Sequence, residues 1–358
     1  MRSDSLKHVT RLVVKLGTAV LTDERKQPDA AQMGQLVAQI ARLCQAGREV
    51  VIVTSGAVGA GMGVLGYDTR PSSVAEQQAC AAVGQSRLMA TYENLFTPHG
   101  RHVAQVLLTH ADLQDEQRHR NARNTLLTLL RRGVIPIINE NDAVSTTELK
   151  FGDNDKLSAL VAALLPAELL VILTSVDGVM ENFGRPNERR LSVIESIDGA
   201  IEAMAAGTTS ATAVGGMKSK IQAAKIVVRT GIPLVIAPGR SKTVLDDIVR
   251  GADAGTLFLP KHGTLRGRKR WIAFFHHPRG TIFVDAGARR ALIENGRSLL
   301  PPGVTRCEGE FASGEIVSIC GEDGAEFARG MAAFSAKDIA AKKLGRGEVI
   351  HRDDLVIL

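Results

Sequence analysis

The chain has 358 residues, 44% hydrophobic and 23% charged, so it is long enough for two domains with buried cores and is neither disordered, collagen-like nor low in complexity. Its net charge of +6 is uneven: residues 261–358 hold 16 Lys and Arg against 12 Asp and Glu, an excess that suits an acidic partner as well as an ordinary mixed surface. No apolar stretch reaches the ~20 residues of a membrane span, the N-terminus lacks a secretory signal's apolar core, and the four cysteines (44, 80, 307, 320) have no metal-ligand spacing, so a cytoplasmic protein with reduced thiols is expected.

In chain order, the first 260 residues alternate strand and helix patterns. Residues 9–15 are an apolar run ending just before Gly17, and 28–46 carry Met33, Leu36, Val37, Ile40 and Leu43 at helical spacing. A strand over 49–54, a glycine-rich turn and a long helix between Pro71 and Pro98 follow. Next come strand 102–108, helix 118–132, strand 134–138, helix 154–164, strand 169–173, helix 217–230 and strands 232–236 and 256–259. Near-continuous Val, Ile and Leu strands alternating with helices predict an α/β fold, a three-layer αβα sandwich around a mostly parallel sheet.

After Pro260 the pattern changes. Five Lys or Arg fall within 261–270, and 261–275 reads as a basic linker. Strand-like runs at 271–275, 281–284, 315–320, 327–334 and 348–358, with helices over 286–295 and 336–344, predict a small β-rich domain over 276–358. The larger domain is expected over 1–260.

Ligands of open α/β sheets bind at the carboxyl ends of the strands, and four polar clusters fall there. Lys15, followed by Gly17, ends the first strand. Thr54 to Gly63 hold four glycines after the second, a pattern that lets backbone N–H groups face an anion. Within it, Gly61, Gly63 and Gly66 match GxGxxG, but the match begins too late and lacks the acidic residue ~20 positions on that a dinucleotide site needs. The third cluster joins Asn139, Asn141 and Asp142 to Asp153, Asn154 and Asp155. Its carboxylates and amides suit a substrate ammonium, a divalent metal or the orientation of lysines, and also plain turn and cap chemistry. The fourth, Gly215, Gly216, Met217, Lys218, Ser219 and Lys220, opens a helix and suits a phosphate chain. Lysines, anion loops and acids at strand ends point to phosphoryl transfer, which depends on positioning and charge neutralisation. None of the nine histidines pairs with a nucleophile.

The stretches VVKLGTAVLT (13–22), VTSGAVGAGM (53–62), AAVGQSRLM (81–89), NARNTL (121–126), IPIINENDAV (135–144), FGDNDKLSALVA (151–162) and GGMKSKIQAA (215–224) resemble those of the glutamate 5-kinase family of the amino acid kinase superfamily. KRWI (269–272), SLLPPG (298–303) and VIHRDDL (349–355) extend the resemblance into a C-terminal PUA domain. The resemblance implies ATP-dependent phosphorylation of the L-glutamate γ-carboxylate, with Mg²⁺ on the ATP phosphates. It implies that Lys15 and Lys220 neutralise the transferring group and that Asp155 holds them. Ser55, Asp142, Asn154 and Asn139 would bind glutamate. Lys15, Gly17, Thr174, Ser175 and the segment Val214, Gly215, Gly216, Met217, Lys218, Ser219 and Lys220 would line the ATP site. The family usually has Asp at Ser175 and Thr at Val214. Feedback inhibition by proline, a dimer or tetramer, and RNA binding by the PUA domain are further implications. The alternatives are a kinase of the same superfamily acting on N-acetylglutamate, aspartate or carbamate, and an RNA-binding regulatory protein.

Overall fold

Strand β1, Arg11–Leu16, shows how the first sheet is built. Successive side chains of a strand point to opposite faces, and here both faces are apolar and covered. Leu12, Val14 and Leu16 join one core with Met33, Leu36, Val37 and Ile40 of the helix Ala30–Gln45 and Leu88, Tyr92 and Phe96 of the helix Val74–Phe96. Val13 and Lys15 face the other side, where the helix Asp155–Leu164 packs. A strand buried on both faces reads as a continuous apolar run, which is why its pattern is visible in the sequence.

The remaining strands of this region are β2 (Glu49–Val53), β3 (Val103–Leu108), β4 (Ile135–Glu140), β5 (Leu169–Thr174), the short β6 (Met180–Glu181), β7 (Arg189–Arg190) and β8 (Val193–Ile194), then β9 (Leu234–Pro238) and β10 (Thr256–Phe258). Seven of them join β1 in one eight-stranded sheet in the order β3-β4-β2-β1-β5-β9-β10-β8, while β6 and β7 pair separately. From β3 to β9 all neighbours are parallel, β9 and β10 are antiparallel, and β8 runs with β10. The sheet is thus mostly parallel, as expected. The chain passes from β1 to β2 on one side and reaches β5, on the other side of β1, only after β4. That reversal opens a crevice at the carboxyl end of β1.

The computed structural model describes residues 2, 6–23, 28–145, 154–206, 216–260, 267–275, 278–343 and 347–358. Asp153, Val214 and Gly215 of the expected site lie outside the described residues.

Two regions differ from the sequence expectation. The glycine-rich stretch is a turn only at Gly56, whose φ of +102° suits a residue without Cβ; from Ala57 to Leu65 it is a helix. This helix crosses Val74–Phe96 backbone against backbone: a Cβ on Gly61 would collide with the Cys80 carbonyl, and one on Gly84 with the Ala57 carbonyl. The chain also splits into compact units at Thr264 and Leu265. Residues 271–275, expected as strand within a linker, belong mostly to a helix, Gly267–Phe274, whose Ile272 and Ala273 pack with Ile316 and Val356 of the second unit.

The second unit holds β11 (Gly280–Val284), β12 (Val304–Gly309), β13 (Ile316–Cys320), β14 (Glu326–Met331) and β15 (Leu355–Ile357) in one sheet, ordered β12-β11-β13-β14-β15. Its own core gathers Ile282, Val284, Leu292, Val317, Ile319 and Leu355. All four cysteines are free, and no helix among the described residues is long and apolar enough to cross a membrane.

Candidate active site

The carboxyl ends of β1, β2, β4 and β5 meet the N-terminal ends of two helices. Asp155 is the first residue of the helix Asp155–Leu164, where a negative charge opposes the positive end of the helix dipole. Its side chain is fully buried. Lys15 Nζ lies 2.6 Å from Asp155 Oδ1, and Lys220 Nζ lies 3.0 Å from Oδ2. Lys220 comes from the first turn of the helix Met217–Arg229. Ser219 Oγ, one residue before it, stands 2.8 Å from the same Oδ2. Burial alone would raise the Asp155 carboxyl, but the two ammonium groups outweigh it and hold it far below the usual carboxylate range. Two ammonium groups on one carboxylate make the cluster cationic, the sign that suits a phosphate chain.

Beside it lies a buried amide cluster. Asn154 occupies the N-cap position of the Asp155 helix, yet its side chain makes no capping bond. It reaches across instead: Nδ2 donates to the Thr54 carbonyl at 2.5 Å, Ser55 Oγ at 3.2 Å and Asn139 Oδ1 at 2.8 Å. Asn139 Nδ2 donates to Gln85 Oε1 at 2.9 Å. Thr54 Oγ1 and the buried Tyr92 hydroxyl are 2.8 Å apart. The structure thus brings Ser55, Asn139 and Asn154 together, with Asn154 adjoining Asp155 in the chain.

Asp142 follows the end of β4. Burial raises its carboxyl, the nearby Glu140 charge raises it further, and Arg70 pulls it down, for a net shift upward. Glu140 itself is buried, with neither carboxylate oxygen hydrogen-bonded among the described residues; His110 Nδ1 is 3.6 Å from one of them.

Of the expected nucleotide residues, Gly17 is close to Lys15: a Cβ on it would stand 3.7 Å from Nζ. Thr174 ends β5, which pairs with β1, and Ser175 after it is exposed. Gly216 caps the Met217 helix. Lys218 points to solvent while Lys220 is buried, which separates two lysines that look alike in the sequence. Among the described residues no group of three or more His, Cys, Asp or Glu is arranged to hold a metal ion. Both Asp155 oxygens face ammonium groups, so this carboxylate is not placed to hold a cation.

Gln85, Glu140 and Tyr92 were not among the residues expected here. Gln85 carried a signal: it interrupts the buried stripe of Ala81, Gly84, Leu88, Tyr92 and Phe96 with a polar group.

Residues 10–238 match the amino acid kinase family and residues 280–353 the PUA domain. The chain is 47% identical to the glutamate 5-kinase of Geobacter sulfurreducens over 374 aligned positions covering all of both proteins. It is 44% identical to that of Pelobacter propionicus, again over the whole of both. Among solved structures, the carbamate kinase of Giardia lamblia bound to AMP-PNP aligns with 71% of this chain and all of its own, at a TM-score of 0.52 and 19% identity, a likeness of fold.

Proposed function

The chain belongs to the amino acid kinase family, in its glutamate 5-kinase branch, and on that premise we propose that it moves the terminal phosphoryl group of ATP to the γ-carboxylate of L-glutamate. The products are ADP and L-glutamyl 5-phosphate, an acyl phosphate that opens the route to proline. The observation that carries the reading is the bridge of Lys15 and Lys220 across one buried Asp155 at the sheet's crevice.

Phosphoryl transfer puts charge on the moving group and on the oxygens entering and leaving, so preorganised cations are the main catalytic requirement. Lys15 and Lys220 supply them from two different elements, and Asp155 fixes the spacing between them. The acceptor needs no general base, because a glutamate carboxylate, with a reference pKa of ~4.3, is ionised at neutral pH. Ser55, Asn139, Asn154 and Asp142 would hold the amino acid, with Asp142 meeting its ammonium. When ATP binds, Mg²⁺ would neutralise phosphate charge. We place the enzyme in the cytoplasm, where free thiols stay reduced.

Incubation with ATP, Mg²⁺ and L-glutamate, with hydroxylamine to trap the acyl phosphate, tests the reading. Hydroxamate should form with glutamate and not with N-acetylglutamate, whose blocked amine cannot pair with Asp142. A folded protein that yields none with glutamate refutes it. Lys220→Ala should lower turnover by roughly 10²–10³, the loss expected for one preorganised donor to the transition state.

A further inference from the structure

The side-chain amide of Asn154 has one orientation only. The Thr54 carbonyl 2.5 Å away can only accept, so Nδ2 faces it and Oδ1 faces elsewhere. That Oδ1 is buried and has no hydrogen-bond partner among the described residues. The same logic fixes the next amide. The backbone N–H of Glu140 can only donate, and it donates to Asn139 Oδ1 at 3.0 Å. Asn139 Nδ2 therefore points to Gln85 Oε1, at 2.9 Å, and Gln85 Nε2 points on to Gln105 Oε1, at 3.1 Å. Three amide-to-amide bonds run in a single direction, from the buried Asn154 to the exposed Gln105 on β3. Oxygen and nitrogen of an amide are told apart by such partners, and here backbone groups settle both buried asparagines.

We propose that Gln85 and Gln105 are positioning residues that lock this chain, so that the Asn154 carbonyl is presented as an unmet acceptor for the α-ammonium of the substrate. A buried acceptor without a donor is costly, and a protonated amine would satisfy it. The inference rests on the proposed glutamate kinase activity and names two residues that act on substrate choice without touching the substrate. Gln85 Oε1 is the acceptor that meets Asn139 Nδ2: without it the Asn139 amide, oriented by the Glu140 N–H, keeps a buried donor unmet and is held less firmly against Asn154.

The test measures KM for glutamate, KM for ATP and the inhibition constant of glutarate, which is glutamate without the amine. Gln85→Met keeps length and removes the acceptor. It should raise KM for glutamate about three- to tenfold, the range for one neutral hydrogen bond, and leave KM for ATP and the glutarate constant unchanged. Gln85→Glu retains an acceptor for Asn139 and should restore glutamate binding. Gln105→Leu, at an exposed site with little bearing on folding, should shift glutamate in the same direction by less. Equal weakening of glutamate and glutarate, or of ATP, would mark a merely structural role and overturn the proposal. So would an unchanged glutamate KM in both Gln85→Met and Gln105→Leu. A wild-type protein that forms no hydroxamate from glutamate overturns the activity and this inference together; an active wild type with indifferent variants overturns this inference alone.

Discussion

At Asp142, burial and the Glu140 charge push the carboxyl up to about 6, against the opposing pull of Arg70. A raised carboxyl keeps its proton at a pH where an ordinary aspartate has lost it, and a protonated acid cannot pair with an ammonium. The apparent kcat/KM for glutamate should therefore fall about tenfold per unit as pH drops below about 6, because this ratio reports the free enzyme. In kcat the limb should lie lower, since bound ammonium favours the ionised form. Glu140→Gln removes one cause of the shift and should move the kcat/KM limb toward the ordinary aspartate range; a limb that stays in place would dissociate it from Asp142. Asp155 answers to charge in the opposite direction. Asp155→Asn leaves two buried ammonium groups facing one another, which should cost ~3–5 kcal/mol of stability, and an ATP-induced rise in Tm larger than that of the wild type should accompany it, because phosphates would take over the carboxylate's role. Lys15 and Lys220 were legible in the sequence because a lysine at a strand end or helix start has few structural reasons to be there. Lys218 was equally visible and turned out exposed; helical phase, not residue type, separates it from Lys220. Glu140 gave no signal, since only the three-dimensional neighbourhood reveals that nothing among the described residues hydrogen-bonds its carboxylate.

The crossing of the helices Ala57–Leu65 and Val74–Phe96 follows directly on Ser55 at the end of β2. Gly61 and Gly84 are the points of contact, and in each case a Cβ would meet backbone, which cannot rotate out of the way. Gly84→Ala should therefore destabilise the protein by ~1–3 kcal/mol, as for other overpacked interiors, and raise KM for glutamate through Ser55. Gly59, in the same helix, has open space around its Cβ position. Gly59→Ala should be neutral or stabilising by up to about 1 kcal/mol, because alanine favours helix. Thermal melts of the pair distinguish packing from composition; equal Tm changes would sink the argument. The glycine-rich segment was conspicuous in the sequence but its meaning was not. A cluster of glycines reads as an anion loop when no partner is in view, and only the approach of the second helix shows that one of them, Gly61, serves close packing. The apolar run at 271–275 misled for a related reason: five residues are too few to separate a period of two from one of 3.6.

The sheet order explains why residues expected at separate strand ends come together. Reversal of direction at β1 puts the ends of β1, β2, β4 and β5 around one crevice, so motifs far apart in sequence converge because each follows a strand. The central parallel strands were readable from their unbroken apolar runs. The edge strand β8 was not, because a two-residue strand carries no period; β10 was expected at 256–259, but its antiparallel pairing with β9 depends on the neighbour and has no signal in the sequence. The split into units bears on function as well. Lys15, Ser55, Asn139, Asp142, Asn154, Asp155 and Lys220 all belong to the unit Met1–Thr264, and each unit has hydrophobic clusters that share no residue with those of the other. A chain ending at Thr264 should consequently fold and form γ-glutamyl hydroxamate with the wild-type KM for glutamate and ATP. Circular dichroism establishes folding, and the hydroxamate assay gives the constants. Loss of activity in a folded truncated chain would mean that chemistry depends on the PUA-containing unit, contrary to a site built entirely from the first sheet and its helices.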